Sequence, residues 1–184
     1  MNMTPTYYSD FNEKKALNAV LYIASKLKRK DFHKIFKVLY FADRNHISEY
    51  GRSISGDIYI AMDDGPVPSK LYDIFKSVRG DSYFKDNGYF SKLIQIINWD
   101  LINPLQEPNL KTLSKTDVKH LDNSLEKYGD MSWDEVREKS HDYAWRNTVK
   151  NNPISLDNLV RESGNEDGYL DYLKEQTQLI QLCR

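Results

Sequence analysis

Cysteine is almost absent from this chain: among 184 residues only Cys183 carries a thiol. No disulfide can therefore close within one copy, and no cysteine-based metal site can be assembled from it. A reducing compartment is the natural setting. Long apolar runs are missing too, with no window near ~18 uninterrupted apolar residues and no basic-then-apolar leader in "MNMTPTYYSDFNEKK". A cytoplasmic protein with no membrane partner is expected. A surplus of either charge is likewise missing, since 26 Lys and Arg face 27 Asp and Glu for a net −1. Direct nucleic-acid binding is not expected from such a balance.

The usual chemical signatures are also lacking. Neither GxGxxG nor GxxxxGK[ST] occurs, so the common phosphate-cradling loops are excluded. His33, His46, His120 and His141 never pair at i, i+4, which removes an HExxH-type zinc helix. "GRSISG" has its glycines at the wrong spacing for a nucleophile elbow, and the strand follows the serines instead of preceding them. No cofactor is expected. No repeat, low-complexity tract or Ser/Gly/Pro linker interrupts the chain, which favours one domain.

What is present is 40% hydrophobic residues with 13 tyrosines, the composition of a folded chain. Ala16, Leu17, Val20, Leu21, Ile23, Ala24 and Leu27 recur at helical spacing, followed by the basic "KLKRK" where positive charge suits a helix C-terminus. Asp31 can cap a second helix through Ile35, Phe36, Leu39, Tyr40 and Ala42, with Gly51 as its stop. From Ser55 the period falls to two, so "GDIYIAM" reads as a strand. Pro68 then suits the first turn of a helix carrying Leu71, Ile74, Phe75 and Val78. "YFSKLIQIINWDLINPLQEP" reads as a hairpin that joins the first strand in one antiparallel sheet. Ser114 with Asp117, and Ser132 with Glu135, are capping-box pairs that open two further helices. The fold class is α+β, predominantly helical, packed around a small antiparallel sheet of about three strands. Residues 1–10 form a polar lead, 11–163 the main domain, and 164–184 a helical extension of it.

Three clusters invite a chemical reading. Asp43 and His46 are three apart and could share a helix face, with Asp57 and Asp64 as further metal ligands of a hydrolase. Such a pair is more often a surface hydrogen bond. Asp63 and Asp64 point opposite ways in extended chain, which suits a turn better than an acid-base pair. "KLKRK" could hold phosphates, but it lacks interleaved aromatics.

"FKVLYFADRNHISEYGRSISGDIYIAMDDGPVPSKLYDIFKS", residues 36–77, resembles the signature of the Panacea domain, the SocA-like antitoxin family that includes phage-associated proteins. The helix ending, the glycine link, the strand, the Gly-Pro-Val corner and the tyrosine after it fall in the family's order. "LQEPNLKTLSKTDVKHLDNSLEKYGDMSWDEVREKSHDYAW", residues 105–145, resembles its second half, with a capped short helix and a His-x-x-x-Trp segment at His141 and Trp145. Asp63 and Asp64 replace the family's usual residues before the corner glycine.

The resemblance implies an antitoxin, not an enzyme, that neutralises a cognate toxin protein by direct binding. A related role is adaptor to a AAA+ protease that degrades the toxin, and a phage factor that blocks a host defence protein is a further alternative. The metal-dependent hydrolase stays open beside them. Tyr40, Asp43, Tyr59, Asp64, Val67, Tyr72, His141 and Trp145 are candidates for the toxin-binding surface or its supporting shell. Gly56, Gly65, Pro66 and Pro68 are the shape-setting corner.

Overall fold

A computed structural model describes residues 11–83, 86, 88–165 and 167–182; the polar lead of residues 1–10 and Cys183 lie outside them. Its axis is α2 (Phe32–Tyr50), in which every residue from Lys34 to Asp43 is buried. A helix buried on all sides must be surrounded, and its polar side chains Lys34, Lys37 and Asp43 are covered with the rest. It is enclosed by α1 (Glu13–Lys26), α4 (Lys115–Tyr128), α5 (Trp133–Ser140) and α7 (Leu156–Glu162). Asp31 accepts from the Lys34 amide to start α2, and Gly51, at φ 71°, ends it in the left-handed conformation that glycine adopts at least cost.

The predicted caps form as read. Ser114 and Asp117 make a reciprocal capping box at α4, and Ser132 and Glu135 another at α5. The one-turn α6 (Tyr143–Arg146) and α8 (Asp167–Leu182) complete the helices, together with α3 (Ser69–Arg79). Leu170 and Leu173 of α8 are buried, and the Tyr169 hydroxyl donates to the Ile47 carbonyl at 2.8 Å, so α8 docks on the end of α2.

The sheet is the point of correction. Among the described residues, two separate two-stranded antiparallel sheets replace the single three-stranded one. β1 (Tyr59–Met62) pairs with β2 (Gly65–Pro68), so the Gly-Pro-Val-Pro corner is itself a strand and Asp63-Asp64 is the tight turn before it. β3 (Ile94–Ile97) and β4 (Leu101–Pro104) form the expected hairpin but do not join β1. Both edges of β1 are already occupied. Opposite β2, the Ala61 amide donates to Asn152, the Ile154 amide to Tyr59, and Ile60 bridges Pro153. The second hairpin lies instead along the link between α1 and α2, where the Ile102 amide donates to Lys30 and the Phe32 amide to Asp100.

Pro68 is the N-cap of α3, one position before the first turn in which it was expected, and it supplies no capping side chain. Asp57 supplies the cap from outside the helix. Its carboxylate accepts from the Lys70 amide at 3.0 Å and the Leu71 amide at 2.9 Å, satisfying donors that a helix start otherwise leaves unpaired.

Candidate functional site

The N-terminal half of α2, the β1–β2 hairpin and α3 enclose an open cavity of about 400 Å³. Phe32 and Phe36 come from α2, Val67 from β2, and Tyr72 from α3, which gives an apolar and aromatic wall. Lys37, Arg79 and the acids Asp63, Asp64 and Asp100 complete it. Concave, mostly apolar sites with a few charges are where ligands and anchor side chains are held.

Aromatic groups flank this cavity in pairs. Trp99, at the tip of the β3–β4 turn and 66% exposed, stacks on the Arg79 guanidinium at 4.0 Å. Asn98 and Trp99 both have positive φ, 48° and 72°, so a tight turn of non-glycine residues projects the indole outward. On the other side, Trp133 stacks on His33 at 4.4 Å. The His33 Nε2 faces the Asp64 carbonyl at 3.3 Å and must carry the proton to donate there, leaving Nδ1 buried without a partner among the described residues. Burial, reinforced by the charge of Lys37, pushes His33 down to about 4, so the ring is neutral at physiological pH.

The third tryptophan braces the hairpin from behind. Trp145 Nε1 donates to the Met62 carbonyl at 2.9 Å, and its ring lies flat on His141 with 3.8 Å between centroids. Asp142 caps α6 through the Trp145 amide, accepts from the Tyr40 hydroxyl at 2.8 Å and pairs with Arg44 at 2.7 Å. This network fixes α6 against α2 and hence the back of the hairpin.

The residues singled out from sequence therefore separate into two groups. Asp64, Val67 and Tyr72 line the cavity. Tyr40, Asp43, Tyr59 and His141 are buried, Trp145 is half-buried behind the hairpin, and these five are not part of the cavity wall. In the corner, Gly65 has φ 97° and Gly56 φ 71°, conformations costly for other residues. Pro66 and Pro68 are buried within β2, with the Pro66 carbonyl accepting from Lys37 at 2.8 Å.

The proposed hydrolase residues are not brought together. The Asp43 carboxylate accepts from the Ile54 and Ser55 amides and from the Ser55 and Tyr59 hydroxyls. Burial still pushes its carboxyl up against the pull of those donors. His46 bridges the Arg52 carbonyl and the Thr116 hydroxyl, Asp57 caps α3, and Asp64 pairs with Arg137 at 2.9 Å on the surface. Among the described residues no group of three or more His, Cys, Asp or Glu is placed to hold a metal ion. In "KLKRK", Lys26, Lys28 and Arg29 pair with Asp122, Asp130 and Asp31.

Sequence reasoning missed Lys37, His33, Arg79 and the exposed Trp99 and Trp133. The available signal was the placing of Lys37 among Ile35, Phe36, Val38, Leu39 and Tyr40, inside the most apolar stretch of α2.

The chain is thus a helix-dominated α+β protein whose central helix and β-hairpin frame an open aromatic cavity. The family model described as antitoxin SocA-like, Panacea domain, matches residues 35–146, and the chain belongs to that family. Comparison with curated proteins and with solved structures returned no significant match. Among the described residues no helix is long and apolar enough to cross a membrane.

Proposed function

We propose that this protein is a cytoplasmic antitoxin that neutralises a cognate toxin by direct binding, with the cavity between α2, the β1–β2 hairpin and α3 at the centre of the contact. The observation that supports this face is the pairing of exposed Trp99 on Arg79 and of Trp133 on His33 around an aromatic hollow. Protein interfaces concentrate their binding energy in Trp, Tyr and Arg near a pocket, and rigid stacking lowers the entropy lost on association. Membership of an antitoxin-like family supports a toxin protein as the partner. The role is binding and not catalysis.

The test is co-expression with the product of each adjacent reading frame. One such product arrests growth alone and not with this chain, and Trp99→Ala with Trp133→Ala weakens the rescue while leaving the antitoxin folded. If no neighbour is toxic, the reading fails. If a toxin is found and the double variant binds it as tightly as the parent, the contact lies on another face. Toxin half-life in cells with and without each AAA+ protease separates delivery for degradation from simple blockade.

A further inference from the structure

Lys37 is the anomaly of the cavity. It forms part of the wall, its side chain is almost wholly buried, and the Pro66 carbonyl, at 2.8 Å, is its hydrogen-bond partner among the described residues. An ammonium group carries three donors, so two are left over. Among the described residues no carboxylate lies within ion-pair distance of it. A buried cation without a counter-ion is costly, and a fold that needed only to fill this volume would be served by an apolar side chain.

We propose that Lys37 makes this cavity a carboxylate-binding site, filled in the complex by an acidic side chain or a chain-terminal carboxylate of the partner protein. The identity of that occupant rests on the reading of this face as toxin-facing. Phe32, Phe36, Val67 and Tyr72 would hold the apolar stem of the entering group, while Lys37 supplies the missing charge partner.

The surroundings set how the site responds to pH. Facing Lys37 are His33 on α2, Asp64 at the hairpin turn, Arg137 and His141 at α5, and Asp142 before α6. Asp64 is held by Arg137 and Asp142 by Arg44, so neither acid neutralises the amine. Burial brings Lys37 down to about 7, and both histidines are lowered as well, so Lys37 is the group near it that changes charge around neutrality. A bound carboxylate favours the ammonium form and must raise that midpoint. Above the free midpoint binding therefore takes up a proton, and affinity falls by about tenfold per pH unit until the raised midpoint is passed.

The site can be tested without the toxin. The full chain, labelled at lysine side chains, is titrated with 3-phenylpropanoate and with 3-phenylpropanamide while the Lys37 Cε resonance is followed by NMR. The carboxylate is expected to shift that resonance, to raise its titration midpoint above about 7, and to bind more weakly as pH rises. The amide, equal in size and uncharged, does none of these, and Lys37→Met weakens the carboxylate about tenfold or more. An unmoved Lys37 resonance overturns the proposal, as does equal binding of the amide. A failure here leaves neutralisation in co-expression standing. Loss of neutralisation with intact carboxylate binding removes the occupant and keeps the site.

Discussion

The Tyr59 hydroxyl donates to Oδ2 of Asp43 at 2.8 Å, and neither side chain reaches solvent. This bond joins β1 to the middle of α2, while the same carboxylate gathers the backbone of Ile54 and Ser55, so one acid organises the whole link between helix and hairpin. Hydrogen bonds to a charged acceptor contribute about 1.5–3 kcal/mol. Tyr59→Phe is expected to lower unfolding stability by that amount in urea titration. Asp43→Ala should cost more, because it leaves two amides and two hydroxyls without an acceptor. A Tyr59→Phe variant as stable as the parent would remove Asp43 from this role.

Asp57 reaches α3 across more than ten residues of chain, and that reach replaces the cap Pro68 cannot provide. Asp57→Ala should destabilise the protein by about 1–2 kcal/mol, the usual worth of a helix cap. Hydrogen exchange localises the effect: the amides of Lys70 and Leu71 should lose protection first. If the loss of protection is uniform over the chain, the carboxylate does not act through the helix start.

These two acids show where sequence reading stops. Helix α2, its Asp31 cap and its Gly51 stop were legible because they follow local spacing, as were both capping boxes and the 94–104 hairpin. β2 was hidden because Gly-Pro-Val-Pro carries turn residues, and a strand with two prolines is tolerated only at a sheet edge. Asp43, His46 and Asp57 suggested a metal set because Asp43 and His46 are three apart on a helix, whereas their partners are backbone amides, a backbone carbonyl and hydroxyls that no spacing rule displays. Trp99 gave no signal until Arg79, twenty residues earlier, was seen beneath it. The Gly-Pro-Val corner contributes Val67 to the cavity wall.

Gly65 makes that corner sensitive to a single methyl group. Its φ is 97°, and a Cβ there would overlap the Ser140 hydroxyl oxygen and lie 3.0 Å from Lys37 Cε and Nζ. Strain and overlap act together. Gly65→Ala should cost about 1–3 kcal/mol by thermal unfolding, and Gly65→Val more. Adding Ser140→Gly should return the steric part and leave the conformational part. A fully folded Gly65→Val that has lost only partner binding would move the corner into the contact itself.

Lys37 also predicts how stability depends on pH. Its ordinary value of 10.5 holds in the unfolded chain, while burial brings it to about 7 in the folded one. Between those values the unfolded state holds a proton that the folded state lacks, so this group raises stability as pH increases through the window. Below about 7 the buried ammonium is charged in both states and its full burial cost is felt. Lys37→Met removes that cost, and replacing a buried charge by an apolar side chain of similar volume is often neutral or stabilising. The variant should therefore exceed the parent most at about pH 6, with the gap closing towards about pH 9 in urea titrations. Groups that do not face Lys37 cancel in the difference between the two proteins, whereas His33 and His141, each lowered in part by its charge, rise in the variant. A gap that stays constant across that range would mean that Lys37 keeps its charge throughout, and would remove the proton uptake expected on carboxylate binding.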